Sequence, residues 1–193
     1  MTTIPVNFAP VLNHEMNKSA QKQIDAYYSL RAEIDLLSQK LTDEHQKHLT
    51  CREGCDQCCL NLNIFPVEYE AILGELTPAG IPSISTITGE DDPCTFLKDH
   101  SCSIYPSRPI ICRTHGLPLL FTNDEGTDLE LALCELNFTK AADLEFTIDN
   151  TYPEDSFVSR LYLINREFIK HCKAPDYKGQ QLIPLTNILK EPK

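Results

Sequence analysis

An α+β fold is what this sequence predicts: a small cysteine-rich core with short strands, flanked by a long N-terminal helix and a C-terminal helix. Three observations carry the prediction. Residues 17–48 contain neither Pro nor Gly, and their apolar side chains step at three and four residues. Eight of the nine cysteines fall between Cys51 and Cys134, among short apolar runs cut by Pro and Gly. Phe157, Leu161, Ile164, Phe168 and Ile169 then restore a helical interval. At 193 residues the chain is read as one domain. It divides into an arm and helix (1–50), a cysteine-cluster core (51–136), and a C-terminal helix and tail (137–193).

Taken in order, residues 1–13 hold Pro5 and Pro10 and read as an irregular arm. Ile24, Tyr27, Tyr28, Arg31, Ile34, Leu37 and Leu41 form one stripe of a helix running to about His48. Cys51, Cys55, Cys58 and Cys59 follow, four thiols in nine residues. On a continued helix they would share one face; Gly54 favours a loop folding back on itself instead, and both options bring the thiols together. Leu60, Leu62 and Ile64 alternate as a short strand, and Pro66 suits the first turn of a helix through Leu76. A Pro- and Gly-interrupted connection leads to Cys94 and Cys102, which flank a tight hairpin. Pro109 starts a short helical turn carrying Cys112 and Arg113. Leu117–Phe121 and Leu129–Leu136 read as a second hairpin with Cys134 inside its second strand. Helix 154–172 and an irregular tail complete the chain.

Composition removes several function classes. The 28 acids outnumber the 17 Lys and Arg, for a net charge of −11, and no basic run compensates. A phosphate-tracking nucleic-acid surface is therefore not expected. No run of about eighteen apolar residues provides a membrane span. Residues 1–10 lack a basic segment followed by an apolar one, so no secretory signal is expected. Thiols so dense in a chain of the reducing cytoplasm point to metal or redox chemistry rather than disulfides. There is no G-x-x-x-x-G-K, G-x-G-x-x-G or G-x-S-x-G, so neither nucleotide binding nor serine hydrolysis has support.

Thiolate is a soft donor suited to zinc and iron, iron–sulfur clusters included, and poorly suited to magnesium or calcium. Cys55-x2-Cys58 has the short spacing that lets two sulfurs reach one metal. The ligand pool is Cys51, Cys55, Cys58, Cys59, Cys94, Cys102 and Cys112, with Cys134 joining because its strand should pack close by. That makes the cysteine-rich core metal-centred. Adjacent side chains usually diverge, so Cys58 and Cys59 point to two metals, or to a metal and the core. Cys172 reads as a small buried hydrophobe. Arg108 and Arg113 bracket Cys112, where a guanidinium stabilises thiolate charge, and Tyr105 offers a hydrogen bond to the same surroundings. His115, three residues after Cys112, stands at a chelating interval. His45 and His48 suit the dipole at a helix end.

The string Cys51-x3-Cys55-x2-Cys58-Cys59, then Pro93-Cys94-Thr95-Phe96-Leu97, Cys102-Ser103-Ile104-Tyr105, Arg108-Pro109 and Cys112-Arg113 resembles the YkgJ-type cysteine-cluster family over about residues 51–115. The resemblance implies a domain that chelates zinc or iron, with the first seven cysteines as ligands. Some relatives join it to lysine methylation with an iron–sulfur cluster, but no S-adenosylmethionine-binding pattern accompanies it here. The sequence thus predicts a cytoplasmic metal-binding protein whose partner is the metal ion and whose protein partner is unknown. A redox or protein-modifying enzyme with an iron or iron–sulfur centre is the alternative, and whether the chain is an enzyme stays open at this stage.

Overall fold

The computed structural model describes residues 17–52, 54–81, 92–141, 143–172, 177 and 182–190. Helix α1 (Lys18–Glu44) is followed by strand β1 (Asn63–Ile64) and helix α2 (Pro66–Ala79). Hairpin strands β2 (Leu97–Lys98) and β3 (Ser101–Cys102) come next, then the short helix α3 (Ile110–Thr114). Strands β4 (Leu119–Thr122), β5 (Leu129–Ala132) and β6 (Tyr152–Pro153) precede helix α4 (Glu154–His171) and strand β7 (Ile183–Pro184). Short 3₁₀ helices cover Tyr105–Ser107, Ile148–Asn150 and Leu185–Lys190. The architecture is α+β, with the long N-terminal helix, the C-terminal helix and the short strands that the sequence predicts.

Helix α1 begins where Asn17 accepts a hydrogen bond from the Ala20 amide at 2.8 Å, satisfying one of its orphan donors. Its buried side chains are Ala20, Ile24, Tyr27, Leu30, Ile34 and Leu41, the apolar stripe of the sequence. Helix α4 runs antiparallel along it. Asn17 donates to the His171 carbonyl at one end, and Lys40 to the Asp149 carbonyl at the other. Pro66 occupies the first turn of α2, where its missing N–H costs nothing. Tyr28 donates to the Ala71 carbonyl and Arg31 pairs with Glu75, docking α2 on α1.

Two apolar clusters result. One lies between α1, α2 and α4, and Cys172 packs against its edge. The other joins Ile64, Tyr69, Ile72, Phe96, Ile104, Leu185 and Ile188 beneath the hairpin β2–β3, and Cys94 and Cys102 pack on it. The hairpin pairs Leu97 with Cys102 and Lys98 with Ser101. Its turn residues Asp99 (φ 49°) and His100 (φ 61°) are both left-handed, the conformation a two-residue hairpin demands.

Several expectations change. Helix α1 stops at Glu44, with His45 as its C-cap, rather than running to His48. His45 does not stand exposed at a helix end: it is buried, Nε2 lies 2.6 Å from the Asn150 carbonyl, and its ring meets Phe138 edge-on. Strand β5 ends at Ala132, so Cys134 lies just beyond it, not inside a strand. Strand β6 pairs parallel to β4, a neighbour the sequence does not announce. The tail is not wholly irregular, because β7 pairs antiparallel with β1 and the 3₁₀ turn after it buries Leu185 and Ile188. The arm at 1–13 and most of the connection before Cys94 lie outside the described residues.

Candidate metal centre

The cysteine string after α1 is a series of turns, not a helix. Gly54 takes φ 95°, a left-handed conformation that breaks any helical face and that glycine adopts without strain. The Cys55 amide bonds the Arg52 carbonyl at 2.9 Å and the Cys59 amide bonds the Asp56 carbonyl at 2.9 Å. The Leu60 amide then reaches back only to the Cys58 carbonyl, at 3.1 Å, a three-residue turn centred on Cys59.

Asn137 anchors the start of this string. Its Oδ1 accepts from the Thr50 amide (2.8 Å) and hydroxyl (2.9 Å), and its Nδ2 donates to the Gly116 carbonyl (2.8 Å) and the Cys51 sulfur (3.2 Å). The Asn137 amide also bonds the Cys134 carbonyl at 2.9 Å, which fixes Cys134 beside Cys51. Gly116 makes the approach possible. A Cβ there would sit 2.7 Å from the Cys51 sulfur, and the residue has φ 89°. Around this anchor the Cys51 thiol donates to Cys55 and senses the charge of Cys134. Cys58 senses Cys59 first, then Cys55 and Cys134.

A second gathering lies against the lower apolar cluster. The Cys94 amide donates to the Cys59 carbonyl at 2.8 Å, and Leu60 bridges Pro93. Asn61 Oδ1 accepts from the Thr95 amide and hydroxyl, each at 2.9 Å, so the Cys59 and Cys94 segments are stitched together. The hairpin returns Cys102 beside Cys94. Helix α3 brings Cys112 in from the other side, with its Ile110 amide held by the buried Glu68 carboxyl at 2.6 Å. Cys59 senses Cys94 and Cys102, and Cys112 senses all three. Cys58 also acts on Cys59, lowering its pKa against the larger influences that raise it.

Burial is the leading influence on these thiols. It pushes Cys51, Cys58, Cys59, Cys94 and Cys102 above the ordinary thiol range, and Cys112 well above it, with neighbouring thiolate charge adding to the shift at most of them. Arg108 opposes the trend at Cys102. Packed together, the sulfurs can all ionise only against a strong positive charge, which a bound metal supplies.

The flanking residues divide. Arg108 stacks over the Tyr105 ring at 3.8 Å and donates to the Tyr105 carbonyl at 3.0 Å, close enough to influence Cys102. Arg113 is buried and turned elsewhere. Its guanidinium bonds both Asp35 oxygens at 2.8 Å and the Arg108 and Pro106 carbonyls, tying α3 to α1. His115 is half-buried, and burial lowers its pKa. His100 pairs with Asp56 at 2.8 Å, pinning the hairpin turn to the loop between Cys55 and Cys58. Asn137, Gly116, Asn61 and the Asp56–His100 pair carry no ligand pattern in the sequence. Only the three-residue interval from Cys134 to Asn137 hints at one of them.

Among the described residues, no group of three or more His, Cys, Asp or Glu side chains stands in position to hold one metal ion. The donor chemistry nonetheless suits zinc or iron: the segments 51–59, 94–112 and 134 contribute eight soft sulfurs, all free. Residues 50–135 match the cysteine-cluster family CxxCxxCC, described as "Putative zinc- or iron-chelating domain". No curated protein matches the chain, and no solved structure does.

Proposed function

Starting from a chain that carries a CxxCxxCC cysteine-cluster domain at residues 50–135, we propose that it is a metal-binding protein ligating zinc or iron, an iron–sulfur cluster included. The ligands are the thiolates of Cys51, Cys55, Cys58, Cys59, Cys94, Cys102, Cys112 and Cys134. One observation carries the reading: cysteine-bearing segments far apart in sequence, around residues 51–59, 94 and 134, are stitched to one another by backbone and Asn side-chain bonds. Reduced thiols gain little from such proximity alone, whereas metal binding recovers the cost of ionising them.

In this reading the protein residues do identifiable work. Asn137 fixes Cys51 by donating to its sulfur, and a hydrogen bond to a ligand sulfur restrains its orientation and tempers its charge. Arg108, rigidified against Tyr105, offsets thiolate charge at Cys102. Glu68 holds the start of α3 and with it Cys112. The bound metal supplies positive charge and a structural cross-link, and iron would add an electron-transfer centre. Elemental analysis of the full chain, purified without oxygen, tests the reading. Zinc or iron retained in stoichiometric amount through gel filtration is the expected result. A folded chain carrying neither metal would refute it.

A further inference from the structure

We propose that the open edge of strand β5 is a docking site for an extended, Lys- or Arg-bearing segment of another protein, which adds to the sheet as a further strand. The inference is independent of the metal-binding reading.

The register identifies the groups on offer. The three-stranded sheet runs β5–β4–β6, so β5 has a neighbour on one side only. The Pro118 carbonyl accepts from the Tyr152 amide at 2.8 Å, and the Thr122 amide donates to Asp155 at 2.7 Å. These even-numbered positions therefore face β6 and α4. Asn123, one residue on, donates to the Asp128 carbonyl at 2.9 Å, so the odd-numbered positions face β5. Backbone groups alternate sides along an antiparallel strand. Leu120 and Thr122 lie opposite Leu131 and Leu129 in the pairing, and these two leucines thus turn their N–H and C=O groups away from β4. Among the described residues nothing bonds those groups.

The usual protections of such an edge are missing. An unpaired edge strand is a template for another strand, and proteins blunt it with Lys, Pro or a bulge. Strand β5 reads Leu-Glu-Leu-Ala, and its pairing with β4 runs without interruption. Leu129 is 60% exposed.

Charge selects the occupant. No Lys or Arg occurs between Arg113 and Lys140, whereas Asp124, Glu125, Asp128, Glu130 and Glu135 all stand exposed. None of the five takes part in an ion pair among the described residues. Asp128 and Glu130 share one face of the strand, and Leu129 and Leu131 share the other. A strand alternating basic and apolar residues matches both faces at once. A second copy of this chain matches poorly. Antiparallel pairing about Glu130 sets that carboxylate against its own copy, and pairing about Leu129 sets it against Asp128. Like charges directly opposite destabilise a sheet. Pairing about Leu131 carries Leu129 past the other copy's strand end at Ala132. The strand leads directly to Cys134, so the docked segment borders the cysteine cluster.

The test uses the full chain purified without oxygen and a short blocked peptide of alternating Lys and Val, labelled for fluorescence anisotropy. Saturable one-to-one binding that weakens as salt is added is expected. Bound peptide should slow hydrogen exchange at the Leu129 and Leu131 amides. A Glu/Val peptide, and a Lys/Val peptide N-methylated along its backbone, should each bind at least about tenfold more weakly. Leu131→Pro removes one outward N–H, leaves the bonds to β4 in place, and should weaken the Lys/Val peptide by a similar factor. Equal binding of the N-methylated peptide would overturn the proposal, since charge alone would then suffice. So would no binding of the Lys/Val peptide, or exchange at Leu129 and Leu131 that the peptide leaves unaltered; none of these measurements needs a variant to fold. A dimer in gel filtration that Leu131→Pro disperses would give the edge to a second copy and overturn the assignment to another protein.

Discussion

The Asn137 side-chain amide donates to the Cys51 sulfur at 3.2 Å while the same side chain holds Thr50 and Gly116. One buried amide therefore sets the position of a thiol and closes the loop that carries it. Asn137→Ala removes these bonds and leaves the Thr50 amide and the Gly116 carbonyl without the side chain that pairs them. A loss of roughly 2–4 kcal/mol is expected in denaturant unfolding. Metal content should fall with it, because Cys51 loses the bond that positions its sulfur. Unchanged stability and full metal would show that Asn137 is dispensable.

Gly116 and Gly126 offer a matched comparison. Both have positive φ, 89° and 73°, but a Cβ at Gly126 meets open space whereas one at Gly116 collides with Cys51. Gly126→Ala should cost about 1 kcal/mol, the backbone penalty alone. Gly116→Ala should cost more and should also lower metal content, since the sulfur must move. Equal effects of the two substitutions would rule out the close approach.

Glu68 gives the protein a pH dependence whose sign follows from burial. Desolvation raises its carboxyl from 4.5 to about 7, against the opposing bonds from Ile110 and Tyr27. Between those values the folded chain keeps a proton that the unfolded chain has released, so this group's contribution to stability falls as pH rises through 7 and is level beyond. Glu68→Gln keeps an acceptor for the Ile110 amide and removes the titration. The variant should gain on the wild type by roughly 3 kcal/mol between pH 4.5 and pH 8. Unfolding at matched metal occupancy measures it, and parallel pH profiles would contradict the assignment.

Cys172 separates packing from ligation. It sits at the edge of the helical core. Cys172→Ala should cost about 1 kcal/mol through lost packing and leave metal content unchanged. Cys112→Ala should remove metal, which elemental analysis of the two variants side by side would show.

How much of this was legible varies by element, for physical reasons. The stripe from Ile24 to Leu41 and the Phe157–Ile169 interval announce α1 and α4, because burial against a helical layer imposes a period on the sequence. Pro66, Pro109 and the turn before Ser101 mark their elements through φ preference. Cys134 was placed inside a strand because the apolar run continues to Leu136, while the pairing with β4 stops at Ala132. The short pairings of β1 with β7 and β4 with β6 have no local signal, since each is two residues long and joins distant segments. At the centre, thiol spacing marks residues 50–135 as the cysteine-cluster stretch that the family model matches. Asn137 and Gly116 stayed hidden because their roles exist only once the Thr50 and Cys134 segments meet. Arg113 was read toward the thiols, and its guanidinium is bonded to Asp35 instead.

The bond from Asn17 to the His171 carbonyl joins positions 154 residues apart. On the ribosome, α1 must wait for all the intervening polypeptide, cysteines included, before its partner helix arrives. Through that interval the nascent cysteines lack the helical layer that later backs them. Exposure to oxidants during synthesis is thus a hazard written into the order of the chain, and yield under oxygen-free expression should reflect it.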